Sequence, residues 1–246
     1  MKKVFLKNSK SAFLLSAKVV VMAIAISLVA TSCKKDKDDD KQTGGDVIVD
    51  DNGLTPDINK LISPEILAEI EGMGMPIYTG GNPPKDITGV YVSSPDICVA
   101  TNVPNDYFGP GHQFADFYFN LSEQNNSQLT IVVATAQAAH TGDGTGAYIV
   151  GEGDKFTIFC PLNSHTAAYD HDYKNVVIFS GIFTADGIQD FYHSTFMLEG
   201  GGLEWGLIED GQGRVIYDSD GMSEHATWPN KKSAPIGTTA GESVMK

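Results

Sequence analysis

From residue 86 onward, short runs of the chain alternate apolar and polar residues, which is the period of half-buried β-strands. The runs pair around turn sequences. The clearest pair is "NVVIFSGIFTADGIQDFYHSTFML", which turns at residues 185–187, and others turn at an Asn-rich stretch, at 151–154 and at 210–213. Consecutive hairpins make neighbouring strands antiparallel. The pattern therefore predicts an all-β fold, an antiparallel meander of eight to ten strands closing as a barrel, with a β-sandwich as the alternative.

A helical period precedes the strands. Ser63 is a typical N-cap residue, Pro64 suits the first helical turn, and Gly72 can end the helix in a left-handed conformation. We therefore predict one short N-terminal helix, which belongs to a single β domain over residues 57–228. The polar, unpatterned residues 229–246 are predicted to be a disordered tail.

The N-terminal residues 1–32 have the pattern of an export signal. They contain five lysines and no acidic residue, and end in an apolar run over residues 19–30 followed by small residues. This pattern predicts a cleaved signal peptide, because the run is too short to span a bilayer. Cleavage takes the net charge from −14 to −19. So acidic a chain excludes nucleic acid as a partner, since phosphates require a basic surface.

Cys33 directly follows the small residues of this segment. The run Ala30-Thr31-Ser32-Cys33 resembles the lipobox of bacterial lipoproteins, and residues 34–40, "KKDKDDD", resemble the export signal of surface lipoproteins in the Bacteroidetes. The resemblance implies that Cys33 is acylated and anchors the protein in the outer membrane, exposed at the cell surface. Residues 33–56 are rich in Asp, Lys and Gly and are predicted to be a disordered acidic tether.

A second resemblance covers the start of the β region. The segment over residues 72–96 resembles uncharacterised Bacteroidetes lipoproteins through six positions: Gly81, Pro83, Pro84, Ile87, Gly89 and Tyr91. With "GEGDKFTIF" and "SGIFTADGIQDF", the likeness extends over roughly residues 72–210. Gly89-Val90-Tyr91 is also similar to the Gly-x-Trp that opens lipocalin barrels. The resemblance implies a β domain of unassigned role and brings no catalytic residue or cofactor with it.

Candidate metal ligands are concentrated in "HTAAYDHDY", residues 165–173. Imidazole and carboxylate groups are ordinary metal ligands. The alternative is a polar loop between two strands that binds nothing. The four candidate ligands are His165, Asp170, His171 and Asp172.

Aromatic residues outside the strand pattern are the candidates for ligand binding. Tyr107 and Phe108 stand in a Gly-Pro loop sequence, and Trp228 lies near the end of the predicted domain. Exposed rings at such places suit stacking on a ligand. Cys98 and Cys160 lie on separate predicted strands, and the sequence leaves open whether they form a disulfide or remain two buried thiols.

The chain contains none of the common nucleophile, zinc-hydrolase or phosphate-binding motifs. This favours a non-catalytic, lipid-anchored surface binding protein of a Gram-negative bacterium, whose ligand is a glycan, a lipid or a peptide. One alternative is an accessory subunit of an outer-membrane complex, and another is a secreted-type hydrolase with an acidic pair. A deep apolar pocket would favour the first, an exposed apolar patch the second, and two close carboxylates in a cleft the third.

Overall fold

In a computed structural model, which describes residues 49–229, two short helices precede the strands. Helix α2 (Pro64–Gly72) begins after its N-cap Ser63, as predicted. Helix α1 (Pro56–Leu61), with N-cap Thr55, was not predicted, so the expectation of a single helix is wrong. Its Thr-Pro start has the same capping signature as the Ser-Pro start of α2. Neither helix, nor any other between residues 49 and 229, has the length and apolar composition to cross a bilayer.

The folded part begins earlier than residue 57. Leu54 is 1% exposed, and Val49 packs against the same apolar cluster as the two helices. The last residues of the predicted tether are therefore part of the fold. The predicted signal peptide, Cys33, most of the tether, and all of the predicted tail except residue 229 lie outside the described residues.

The all-β prediction is confirmed, because one mostly antiparallel sheet of eleven strands makes up most of the described chain. The strand count exceeds the predicted eight to ten, partly because a two-residue strand is included. The strands are β1 (Gly81–Asn82), β2 (Gly89–Ser93), β3 (Asp96–Thr101), β4 (Phe117–Asn125), β5 (Thr130–Gln137), β6 (His140–Glu152), β7 (Lys155–Thr166), β8 (His171–Phe183), β9 (Gly187–Glu199), β10 (Gly213–Asp218) and β11 (Met222–His225).

The sheet is a meander only from β4 to β10, where each strand pairs with the next. Strand β2 pairs with β4 and with β11, and β11 also pairs with β9. These pairings connect eight strands in a ring. Strand β3 follows β2 along the chain but pairs instead with β10, outside the ring. Strand β1 adds a short parallel pairing to β6.

The predicted hairpin around residues 210–213 lacks its first strand. Residues 203–205 form a short 3-10 helix (Leu203–Trp205), which ends at Gly206 in the left-handed conformation with φ of 67°. The apolar residues that suggested a strand, Leu207 and Ile208, pack against Met197 of β9 instead. The segment from 200 to 212 is thus a long connection between β9 and β10.

One face of the sheet, here called the inner face, carries the larger apolar cluster. Phe119 of β4 stacks on Phe191 of β9 with ring centroids 4.5 Å apart, and lies 5.3 Å from Phe179 of β8. Strand β4 pairs with neither β8 nor β9. The inner face therefore curves until opposite strands touch through their side chains.

The helices cover the other, outer face. Ile58 of α1 and Ile70 of α2 are fully buried in a cluster with Phe159, Ile178 and Val215 from strands β7, β8 and β10. Alternate residues of one strand point to opposite faces. This is why Phe159 joins the outer cluster while its neighbours in β7 join the inner one.

Candidate ligand-binding cavity

A cavity of about 860 Å³ lies at one end of the inner face. At this end β5, β7 and β9 finish, β4, β6, β8 and β10 begin, and the connections 102–116 and 200–212 run. We call it the open end. Phe117, Leu162 and Val177 belong both to the inner apolar cluster and to the cavity lining. The cavity therefore continues the core, and its volume is within the range usual for small-molecule sites.

Two of the three aromatic residues proposed from the sequence line this cavity. Tyr107 and Phe108 are 85% and 42% exposed and lie at its rim, on the connection between β3 and β4. Leu203, 74% exposed, lines it from the connection between β9 and β10. Trp228 is half-buried and does not line the cavity, so the structure does not bring it together with the other two.

An ion pair attaches the aromatic loop to the sheet. Arg214 of β10 donates from Nε to Asp106 Oδ2 at 2.7 Å and from Nη2 to Asp106 Oδ1 at 2.8 Å. Thr101 Oγ1 also donates to Asp106, at 2.9 Å. The Arg214 hydrogen bonds are the largest cause that lowers the pKa of Asp106. Because a bidentate pair fixes the orientation of both side chains, the Arg214–Asp106 pair also fixes the position of the loop that carries Tyr107 and Phe108.

Two phenylalanine rings lie close to the guanidinium group of Arg214. The Arg214 guanidinium carbon lies 5.6 Å from the ring centroid of Phe108 and 5.9 Å from that of Phe114, which is within the range of cation–π attraction. With Asp106 paired to it, the charge of Arg214 is compensated inside the site. Arg214 is the only arginine in the chain. That singularity is a signal that sequence reasoning could have used, since a lone arginine in an acidic chain suits a specific bidentate partner.

Polar side chains form one wall of the cavity. Ser164 Oγ donates to Asn175 Oδ1 at 2.8 Å, and Asn175 Nδ2 donates to Thr195 Oγ1 at 3.0 Å. These residues stand on β7, β8 and β9, which are neighbours, so the bonds run across the sheet. Next to them, His140 Nδ1 and Tyr173 Oη are 3.2 Å apart. Burial lowers the pKa of His140 and raises that of Tyr173, so both side chains are favoured in their uncharged forms.

The part of the cavity beside Phe117, here called its inner end, is lined by His193 and Gln137, and one buried carboxylate holds both side chains. His193 Nε2 lies 2.9 Å from Asp96 Oδ1, and Gln137 Nε2 donates to Asp96 Oδ2 at 2.8 Å. Asp96 is fully buried and also accepts from Ser93 Oγ at 2.8 Å. The ring of His193 stacks on Phe117 at 4.2 Å. His193 thus has a buried carboxylate partner and a position in the cavity wall.

Asp218 is the second buried carboxylate of this region, paired in register with Asp96 across β10 and β3. Ser223 Oγ donates to its Oδ2 at 2.6 Å, while its Oδ1 has no hydrogen-bond partner. Burial raises the pKa of Asp218 to about 6, with smaller contributions from Asp220 and Asp96. Neither buried carboxylate lines the cavity.

The four candidate metal ligands do not form one centre. His165 Nδ1 lies 2.8 Å from Asp172 Oδ1, and His165 Nε2 lies 3.8 Å from Asp170 Oδ1. His171 is directed elsewhere, with Nε2 2.9 Å from the Gly200 carbonyl oxygen and its ring stacked on Trp205 at 4.3 Å. Within residues 49–229, no three His, Cys, Asp or Glu side chains are grouped to hold a metal. His171, one of the candidate ligands, therefore contacts the connection 200–212 instead of the other three candidates.

The two cysteines of the β domain are buried free thiols rather than a disulfide. Cys160 of β7 belongs to the inner apolar cluster, and burial raises its pKa to about 12. Burial also raises the pKa of Cys98, on β3 outside the ring of strands. Of the two alternatives left open by the sequence, the structure shows the free thiols.

Comparison of the chain with protein-family models, with curated proteins and with solved structures finds no match. The functional interpretation therefore rests on the chemistry of the cavity, which offers apolar surface, aromatic edges at its rim, and hydrogen-bonding groups on one wall and at its inner end.

Proposed function

We propose that this protein is a non-catalytic, lipid-anchored binding protein of the bacterial cell surface, and that the cavity at the open end holds a small amphipathic ligand. The observation that carries the proposal is the combination of about 860 Å³ of space with a lining of apolar residues and a few fixed polar groups. Such a combination is characteristic of small-molecule sites. Of the ligand classes considered from the sequence, a lipid-like molecule fits this lining best.

We also infer that the ring of eight strands acts as a closed barrel around this interior. The pairing of Glu224 of β11 both with Val92 of β2 and with Gly187 of β9 supports closure. Nuclear Overhauser contacts from Glu224 to both partners in solution are expected. Contacts to one side alone would leave an open sheet.

The anchor part of the proposal concerns Cys33, and the sequence features around it support it. Cells that express the chain and are grown with an alkyne-labelled fatty acid should yield labelled protein. The Cys33→Ser variant should carry no label. Equal labelling of both proteins would contradict acylation at this residue.

The ligand is sought by thermal unfolding of the full chain carrying Cys33→Ser, so that no acyl chain competes for the cavity. The panel contains glycans, fatty acids and fatty alcohols, tetrapyrroles and divalent metals. A ligand at a hundred times its Kd stabilises the folded state by about 2.7 kcal/mol, which raises the melting temperature by a few degrees. No shift with any class would contradict small-molecule binding.

Two tryptophan variants locate the response. Val177→Trp projects a large ring into the cavity and should abolish the shift, whereas Val99→Trp adds the same ring at an exposed position of β3 outside the lining. Loss of the shift in both variants, or in neither, would mean that the ligand binds elsewhere.

The second candidate, an accessory subunit of a membrane complex, is favoured by one observation. Tyr107, Phe108 and Leu203 are exposed apolar side chains on the rim of one cavity. Exposed apolar groups brought together in this way suit a protein partner. This candidate predicts that changing the rim weakens a protein complex while ligand-induced shifts stay absent. The hydrolase alternative has no such support. Asp106 and Glu209 line the cavity, but Asp106 is paired with Arg214, and Asp96 and Asp218 are buried outside the cavity.

A further inference from the structure

Two hydrogen-bond acceptors at the inner end of the cavity are fixed by the same buried carboxylate. Asp96 accepts from His193 at Oδ1, from Gln137 at Oδ2, and from the hydroxyl of Ser93. A carboxylate has only acceptor sites, so each of these partners must present a proton to it. His193 therefore carries its proton on Nε2, and Gln137 presents its amide nitrogen.

This assignment decides what the other ends of the two side chains offer. Gln137 Nε2 also donates to the Ala115 carbonyl oxygen at 2.8 Å, so both amide protons are used on acceptors and the orientation of the amide is unambiguous. Gln137 Oε1 and, in the neutral ring, His193 Nδ1 are then acceptors. Neither atom makes a hydrogen bond to another described residue, while both side chains line the cavity.

The surroundings of these acceptors are apolar. Phe117 stacks on the His193 ring at 4.2 Å, and Val177 and Ile216 line the cavity from the adjoining strands. Neither acceptor is among the fully buried unpaired atoms of the described residues, so both are open to the cavity, and a ligand that brings a donor would take the place of water there. A ligand with a carboxylate in this position would place its oxygen lone pairs against the two acceptors, Gln137 Oε1 and His193 Nδ1. An ammonium group would lose the hydration of a full charge, which two neutral acceptors do not replace.

We propose that the inner end of the cavity is a subsite for a hydroxyl group, and that the ligand is an uncharged alcohol on an apolar skeleton. This inference rests on the proposed function and names the ligand class for the same cavity. The skeleton would lie along Phe117, Val177 and Leu162, with its far end at Tyr107 and Phe108. The polar wall formed by Ser164, Asn175 and Thr195 accommodates further hydroxyl groups.

The test compares three probes of equal chain length, 1-decanol, decanoate and decylamine, by calorimetry at pH 8 on the full Cys33→Ser chain. We expect the Kd of 1-decanol to be at least about tenfold lower than that of the other two, since one unmatched buried polar group costs about that factor. Decanoate or decylamine binding as tightly as the alcohol would overturn the subsite.

Variants assign the discrimination to the inner end. In His193→Leu the affinity for 1-decanol should fall about five- to tenfold, the loss of one hydrogen bond. His225→Leu removes a histidine whose ring centroid lies 4.7 Å from that of Tyr91, outside the cavity, and should leave all three affinities unchanged. If His193→Leu does not fold, the three-probe comparison on the unaltered cavity still decides.

The remaining outcomes separate this inference from the function on which it rests. Tight decanoate binding that Val177→Trp abolishes would overturn the hydroxyl subsite and leave the cavity as a ligand site. Absence of binding by all three probes would also overturn the hydroxyl subsite. The thermal-unfolding panel of other ligand classes then tests separately whether the cavity binds a ligand. Undiminished 1-decanol binding in folded His193→Leu would mean that the alcohol does not reach the inner end.

Discussion

The two ends of the inner face are built by the same strands, yet one is filled and the other holds a cavity. Phe179 of β8 and Phe191 of β9 lie at the filled end, each fully buried and within 5.7 Å of the other between ring centroids. Val177 of β8 and His193 of β9 lie two residues closer to the open end on the same strands. Two further residues along stand Asn175 and Thr195.

This gradient explains the cavity. Every second residue continues to face inward, so the strand alternation is unbroken, but the side chains change from large aromatic rings to smaller and polar groups. Rings fill the space between opposite strands; Val, Thr and Asn do not. The polar groups bond to one another, as Ser164, Asn175 and Thr195 do, which keeps the wall stable without a ligand. A change of residue type along an inward-facing row therefore marks a site.

The largest expected effect is at the filled end. Phe179→Ala should lower the free energy of unfolding by about 3–5 kcal/mol, because it removes a fully buried ring and leaves a cavity among neighbouring rings. Val177 lies two residues closer to the open end, beside space that already exists. Val177→Ala removes fewer carbon atoms and should lower the free energy of unfolding by about 1–2 kcal/mol. Urea unfolding of the Cys33→Ser chain measures both. Equal losses at the two positions would contradict the difference between the ends.

A smaller effect, of opposite sign, is expected at the carboxylate buried beside the open end. Burial raises the pKa of Asp218 from 3.8 to about 6, so between these pH values the folded state binds the extra proton. Its stabilising contribution is present below about pH 4 and is lost as the pH rises through about 6. Asp218→Asn should therefore raise the stability at pH 7 by about 3 kcal/mol, since one pKa unit corresponds to about 1.4 kcal/mol.

The pH dependence supplies the check on this variant. Melting temperatures of Asp218→Asn should vary less between pH 4 and pH 7 than those of the unaltered residue, while the hydrogen bond from Ser223 is kept by the amide oxygen. Asp186→Asn, at an exposed position that is not among the causes of the raised pKa of Asp218, should leave the profile unchanged. A variant that is less stable at pH 7, or a profile as steep as before, would contradict the raised pKa.

The smallest effect on stability is expected at the rim of the cavity. Tyr107 is 85% exposed, so Tyr107→Ala should change the free energy of unfolding by less than about 0.5 kcal/mol. The same change should weaken binding in the cavity several-fold, because the ring covers the ligand at the rim. Tyr169→Ala, also at an exposed tyrosine but outside the lining, is the control for both measurements. Unchanged affinity in Tyr107→Ala would exclude the ring from the site.

The sequence predicted those parts of the fold that depend on local signals. Alternation and turn residues identified the hairpin of β8 and β9, and the Ser-Pro start identified α2. Long-range pairings were not predictable, since nothing in the residues of β3 specifies β10 as its partner. Residues 203–208 looked like a strand because most of them are apolar, but Leu207 and Ile208 pack locally onto Met197 of β9 and Leu203 is exposed.

The site was predictable to a similar extent. Tyr107 and Phe108 were found because aromatic residues in a Gly-Pro loop are unusual. His193 and Asp96 could not be paired from the sequence, because they are 97 residues apart and meet only through the fold. The four candidate metal ligands are not brought into one group, because sequence clustering does not tell in which direction neighbouring side chains point, and His171 contacts Gly200 and Trp205 instead.

The most direct test of the cavity as a ligand site is a titration with N-phenyl-1-naphthylamine, a neutral probe whose emission rises in apolar surroundings. We expect saturable binding of one molecule per Cys33→Ser chain, loss of that signal in Val177→Trp, and its retention in Val99→Trp. A signal that does not saturate, or one that is the same in both tryptophan variants, would contradict binding at the open end.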